Sequence, residues 1–144
     1  MILLDTTVLL YAVGTDHPLR DPCRSIIAAV GDGRVAATST VEVLQEFAHV
    51  RARRRGRQDA AELTAHYATL LAPLVSIDAA DLADGLRLFR THERLGAFDA
   101  VLAAAAMRRE HVTALASADR AFAGVDGLDH LDPGSPEAMA ARGI

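Results

Sequence analysis

Short unbroken apolar runs alternate with longer stretches of helical periodicity along this chain. Ile2-Leu3-Leu4 contains no polar residue and stops at Asp5, the pattern of a strand buried on both faces. Asp5-Thr6-Thr7 then offers helix N-cap chemistry before the apolar segment Val8 to Val13. Gly14 to Pro18 reads as a turn, and Leu19 to Val30 as a helix closed by Gly31-Asp32-Gly33. Val35 to Thr38 is a second short strand. Ser39 or Thr40 caps a long helix to about Arg55, with Val41, Leu44 and Ala48 recurring at helical spacing. Gly56 ends it.

The alternation continues to the end. The pattern predicts a helix from about Asp59 to Leu71, stopped by Pro73, and a strand over Leu74 to Ile77. Asp78 or Asp81 caps the next helix, which extends to near Gly96. Asp99 opens an alanine-rich helix to about Glu110, and Val112 to Ala116 is a further strand. Ser117-Ala118-Asp119 starts a helical turn through Phe122, and Leu128 to Leu131 reads as a fifth strand. Pro133 to Ile144 reads as a frayed tail in which Pro136 to Arg142 can form a helical turn. Strands that alternate with helices predict an α/β fold. The expected form is a three-layer α/β/α sandwich around a mostly parallel sheet of four or five strands. The expected division is one domain over residues 1–133 and a C-terminal tail over 134–144.

Composition narrows the class. Of 144 residues, 51% are hydrophobic, enough for a core, but only 4% are aromatic, so Ala, Leu, Val and Ile must fill it. The one cysteine, Cys23, excludes an internal disulfide and fits a reducing, cytoplasmic setting. No apolar run approaches the roughly 18 residues of a membrane span, so no membrane partner is expected. Net charge is −4, and all positive charge is arginine.

Candidate chemistry lies in four separated acids, Asp5, Glu46, Asp99 and Asp119. Asp5 ends the first strand, Asp119 lies just past the strand over Val112 to Ala116, Asp99 opens the helix leading into that strand, and Glu46 rides the helix after the second strand. Ligands in open parallel sheets bind at the carboxyl ends of strands, so all four can border one crevice. Taken singly, the three aspartates are also ordinary helix caps and Glu46 an ordinary helix residue. Together they would repel one another without a cation. Oxygen-only ligation suits Mg²⁺ or Mn²⁺, which polarises a phosphate oxygen and activates water. Glu42 stands one helical turn before Glu46, and either can supply the second acid.

Ile2-Leu3-Leu4-Asp5-Thr6-Thr7-Val8-Leu9-Leu10-Tyr11 resembles the opening of PIN-domain nucleases. Thr40 to Phe47, Phe98 to Ala106 and Ser117 to Phe122 are similar to that family's second, third and fourth acidic motifs. The size and style are closest to VapC-type toxins of toxin–antitoxin pairs. The resemblance implies a PIN-like fold and a Mg²⁺- or Mn²⁺-dependent endoribonuclease that leaves a 5′-phosphate and a 3′-hydroxyl. It makes Asp5, Glu46, Asp99 and Asp119 the catalytic and metal-site acids. Thr7 stands where the family often has Asn or Ser, and Ser117 matches a frequent Ser or Thr before the last acid, so both are expected behind the acids. The implied partners are an RNA substrate, a VapB-type antitoxin and a second copy of the chain as a homodimer.

Arg51, Arg53, Arg54, Arg55 and Arg57 form the densest positive charge, following the helix that carries Glu46. Arg51, Arg53 and Arg54 are candidates for RNA phosphate contact, against the plainer reading of a solvated helix end. The six histidines form no spaced zinc pair. A receiver-like phosphoacceptor domain would need a lysine that the chain lacks. The alternative from another class is a catalytically inactive PIN-fold module that binds RNA or protein.

Overall fold

The computed structural model describes residues 1–144. Ile2, Leu3 and Leu4 form β1 (Ile2–Leu4), and all three are buried, so both faces of the strand are covered. β1 pairs in parallel with β2 (Ala37–Thr38) on one side and with β3 (Ala114–Ala116) on the other. β4 (His130–Leu131) adds in parallel to β3, giving the order β2-β1-β3-β4. The chain leaves β1 for one neighbour and later returns to the other, which makes the carboxyl end of β1 a topological switch point. Register there matters: Leu4 stands opposite Ala116, so Asp5 and Ser117 leave the sheet side by side.

Seven helices surround the sheet. α1 (Thr6–Ala12) starts at once from β1 with Asp5 as its N-cap, and α2 (Arg20–Gly31) follows. α3 (Val41–Arg55) is capped by the Thr40 hydroxyl, which accepts from Val43 N at 3.2 Å, and ends at Gly56 with φ +93°. α4 (Arg57–Leu70) packs back on α3, with Phe47 and Tyr67 edge to face at 5.2 Å. α5 (Ala79–Thr91) opens with a reciprocal capping box between Asp78 and Asp81. Both aspartates proposed for that cap therefore take part. Asp81 is also fully buried, held by the Arg109 fork at 3.0 and 2.8 Å and by Arg108. The Arg109 hydrogen bonds hold its carboxyl below the usual carboxylate range.

α6 (Ala97–Met107) buries Ala100, Leu102 and Ala103 to Ala106. Gly85, on α5, lets that helix approach α6 closely: a Cβ there would lie 2.6 Å from Val101 Cα. After β3, a 3₁₀ turn spans Arg120–Gly124, and α7 (Pro136–Ala140) follows β4.

Three segments differ from expectation. Leu74 to Ile77 is not a strand: a single bridge joins Val75 to Thr40. Pro73 has no N–H to donate, and β2 beside it is only two residues long. The α5 helix stops at Thr91, not near Gly96, and buried Leu95 anchors the intervening loop. The C-terminal segment takes the helical option. Ser135 caps α7, Met139 is buried, Arg34 donates to the Gly143 carbonyl, and Arg142 pairs with Asp129.

Gly85→Ala gains about 1 kcal/mol of helix propensity but drives a methyl into backbone, which cannot swing aside. Urea unfolding should show a net loss of about 2 kcal/mol, with an unchanged slope against denaturant.

Candidate active site

The pairing of β1 with β3 builds the centre of the site. Asp5 is 3% exposed, and its amide donates to the Ala116 carbonyl at 3.0 Å. Asp5 Oδ2 accepts from Thr7 Oγ1 and from Ser117 Oγ, both at 2.7 Å, and from Thr7 N at 3.3 Å. Both hydroxyl protons therefore go to one carboxylate oxygen, and the 3.2 Å approach of the two hydroxyls has none to share. The hydroxyls accept in turn: Thr7 Oγ1 from Ala118 N at 2.9 Å and Ser117 Oγ from Asp119 N at 3.0 Å. Asp5 Oδ1 makes no hydrogen bond and is not sealed from solvent. Thr7 and Ser117 thus both bond the same oxygen of Asp5.

Asp119 begins the 3₁₀ turn and uses Oδ1 as a cap for Ala121 N at 2.8 Å. The capping role and a place in the acidic group coexist. Behind Ser117, the His130 ring nitrogen Nε2 meets the Ser117 carbonyl at 2.9 Å, tying β4 to the same end of β3.

Glu46 reaches the site from α3. Its Oε2 accepts from the Thr6 hydroxyl at 2.6 Å, so the residue following Asp5 holds it. Thr6 was not among the expected residues, and its signal in the sequence is only its adjacency to Asp5. Gly96 was missed as well. It is the N-cap of α6, three residues before Asp99, and its backbone N–H favours the charged form of that carboxylate. That spacing is half of a capping box and was readable.

Asp99 carries the clearest electrostatic sign of convergence. Its carboxyl is raised from the usual range to about 6. Burial is the largest cause, and the charges of Asp5, Asp119 and Glu46 follow, partly offset by the Gly96 N–H. Asp99 therefore feels the charges of three acids from three other elements. Glu42 is not among the charges that raise Asp99. Its Oε2 is buried and accepts no hydrogen bond.

No three of these groups form a ready-made cage for a metal ion. Mg²⁺ asks for less, commonly one or two carboxylates completed by waters and phosphate oxygens. The donor set is all oxygen, Asp5 Oδ1 is unused, and the repulsion on Asp99 is of the kind a cation relieves. The residues fit a hard divalent ion in that open mode.

The arginines divide. Arg51 is not free: its fork holds Asp59, with Nη2 at 3.0 Å, and Nη1 donates to the Val13 carbonyl at 3.2 Å. It pins α3 to α4 and to the end of α1. Arg53 and Arg54 are exposed at the end of α3 and make no ion pair. Cys23 is buried, and burial pushes its thiol up to about 12, which leaves it a core residue without nucleophilic character. No helix is long and apolar enough to cross a membrane.

Comparison with known proteins agrees with this geometry. The PIN domain family model matches residues 2–128. The chain is 53% identical over 137 residues to Ribonuclease VapC7 of Mycobacterium tuberculosis, covering 92% of each. It is 34% identical over 125 residues to Ribonuclease VapC23 of Mycobacterium tuberculosis, covering 85% of this chain and 96% of that one. The crystal structure of Mycobacterium tuberculosis VapC20, described as a sarcin–ricin loop cleaving toxin, superposes with a TM-score of 0.67 at 17% identity. That match covers 89% of this chain and 98% of that one and confirms the fold. Model, relatives and sheet order converge: the chain belongs to the PIN-domain family, among the VapC ribonucleases.

Proposed function

We propose that the chain is a Mg²⁺- or Mn²⁺-dependent endoribonuclease, the toxin of a toxin–antitoxin pair. The observation that carries this is the convergence of Asp5, Glu46 and Asp119 on Asp99, whose carboxyl is raised to about 6 by burial and then by those three charges. A fold gains no stability from gathering four acids, and a metal-assisted hydrolysis needs them. An inactive RNA- or protein-binding module would leave that repulsion without a purpose. The VapC relatives support RNA as the substrate class.

Asp5, Asp99 and Asp119 would hold the ion, one or two of them directly and the rest through its waters, with Glu46 completing the acidic rim. Bound there, the ion supplies a polarised phosphate oxygen and an activated water. Hydrolysis joins the water oxygen to phosphorus and breaks the bond to the 3′ oxygen, which leaves with a proton. The products are a 5′-phosphate and a 3′-hydroxyl. Thr7 and Ser117 fix Asp5 by occupying Oδ2, so Oδ1 faces the reacting groups in one orientation. Thr6 does the same for Glu46. The reading brings two partners with it, a VapB-type antitoxin that blocks the acids and a second copy of the chain. Leu82, Leu86 and Phe89 on α5 are exposed at helical spacing and favour such a copy.

Cellular RNA incubated with the antitoxin-free protein should be cut in Mg²⁺ or Mn²⁺ and spared in EDTA. Asp5→Asn should reduce cleavage by about 10³-fold or more, as loss of a charge-stabilising group typically does. Glu46→Gln should impair cutting strongly and Glu42→Gln weakly; full activity in Glu46→Gln would remove Glu46 from the site.

Ser117→Ala should lower kcat about 10- to 100-fold while leaving the fold intact, since it frees Asp5 without removing it. Mn²⁺ titration of the same variant checks whether the loss lies in ion affinity.

Asp99 makes a further prediction without metal. Its folded pKa lies above the unfolded value, so its contribution to stability is present at acid pH and is lost as pH rises through about 6. Asp99→Asn should therefore stabilise the metal-free protein at pH 7.5 by about 1–2 kcal/mol, allowing for solvent screening, and leave it nearly unchanged at pH 4. Thermal melts at both values decide, and equal shifts at both would contradict the charge repulsion.

A further inference from the structure

The outward face of α1 is built unlike a solvated helix surface. Thr6, Val8, Leu9 and Ala12 fill the core. Thr7, Leu10, Tyr11 and Gly14 recur at the helical spacing i, i+3, i+4, i+7 and form a second face. That face is the floor of a groove. One section, about 240 Å³, is lined by Thr7, Leu10, Tyr11, His17, Asp16 and Arg54, with Gly14 and Thr15. The next, about 460 Å³, shares Leu10, Gly14, Thr15 and Arg54 and adds Val13, Arg51 and Arg55. The shared residues make it one continuous groove. It starts at Thr7, whose hydroxyl touches Asp5 at 2.7 Å, and runs roughly 10 Å along α1 at 1.5 Å per residue.

The walls are chemically sorted. Arg54 and Arg55 are exposed and make no ion pair, whereas Arg51 between them and α1 is locked by Asp59 and the Val13 carbonyl. On the other wall Tyr11 and His17 stack, with ring centroids 4.4 Å apart and planes 27° apart. The His17 ring is fixed further by the Leu19 N–H, which donates to Nδ1 at 3.1 Å. Asp16, the acid of the lining, lies within 3.5 Å of Arg20. A stacked aromatic pair lining the same section as the free Arg54 guanidinium, with Arg55 in the next section, matches a base and a phosphate of a single strand. It suits a duplex poorly, because stacked bases within a helix present no faces.

We propose that this groove carries the single-stranded RNA flanking the scissile phosphate. A neighbouring phosphate lies against Arg54 and Arg55, and a base stacks on the Tyr11–His17 pair. The inference rests on the endoribonuclease reading. It adds the direction in which substrate leaves the acids and a preference for unpaired RNA on that side.

The test measures binding and cutting separately. Anisotropy of a fluorescein-labelled single-stranded RNA is followed in EDTA, where cleavage is held off, and cutting is followed in Mg²⁺ or Mn²⁺. Arg54→Glu with Arg55→Glu should weaken binding about tenfold or more near 0.1 M salt. The slope of log affinity against log salt should fall by about 0.7, the single-strand value for one phosphate. His17→Ala and Tyr11→Ala should each weaken binding about five- to a hundredfold, whereas Tyr11→Phe, which keeps the ring, should bind like the wild type. Melting curves report the fold of each variant. If half-buried Tyr11→Ala fails to fold, the arginine variants and His17→Ala, all at exposed positions, decide.

Unchanged affinity in those variants, with wild type still cutting RNA, overturns the groove and leaves the nuclease reading standing. Binding with the expected dependences but no cutting in either metal supports the groove and sinks the nuclease reading. Unchanged RNA affinity with lost binding of a protein inhibitor assigns the groove to a protein and overturns it.

Discussion

The parallel pairing of β1 with β3 is the constraint from which the site follows. Leu4 opposite Ala116 sends Asp5 and Ser117 out of the sheet together, and the Asp5 amide continues the ladder onto the Ala116 carbonyl. A slip of one residue would turn Leu3 and Leu115 from one buried face to the other and separate the two polar side chains at once. Both strands are wholly apolar and buried, so the hydrophobic term that holds the sheet also holds the register. Thr7, Ser117, Ala118 N and Asp119 N are then joined by hydrogen bonds that need no other support.

Around that fixed centre, the acids occupy unequal positions. Asp5 is buried, but one of its oxygens is saturated by two hydroxyls and an amide. Asp119 spends one oxygen on its own helical turn, and Glu46 is held by Thr6. Asp99 has only the Gly96 N–H to oppose burial and three like charges, so the strain of the cluster collects there. A cation entering this group would relieve Asp99 most. In a metal-dependent enzyme of the kind proposed, Asp99 would be the residue through which proton and ion compete for the site.

Much of this was legible because it rests on local pattern. The apolar runs of β1 and β3, the caps Asp5 and Thr40, and the alanine run of α6 all carry their structure in adjacent residues. The motif positions of Asp5, Glu46, Asp99 and Asp119 were readable for the same reason. What escaped depends on distant partners. Leu74 to Ile77 has a strand composition but no neighbour able to pair with more than Val75. Glu42 and Glu46 share one helical face, and what distinguishes them, the Thr6 hydroxyl on Glu46 and its charge at Asp99, comes from residues forty and more positions away. Arg51 looked like its neighbours in an arginine run until Asp59 and Val13 claimed it. The α7 segment looked like a tail because its contacts, Arg34 and Asp129, lie elsewhere in the chain.

α1 shows why so short a helix tolerates so little change. A seven-residue helix is marginal by its own propensity and must be held by packing. Its inner face supplies Val8 and Leu9 to the core, its cap is the central acid, and Thr7 on its first turn orients that acid. Its outer face then floors the groove, with Leu10 and Tyr11 half-buried against the edge of the core. Substitutions at Thr6 or Thr7 cannot be clean, because each hydroxyl links the helix to an acid on a different element. The helix therefore couples packing to chemistry at its start and to the groove along its length. That division explains why hydroxyls occupy the first turn and half-buried large side chains follow at Leu10 and Tyr11.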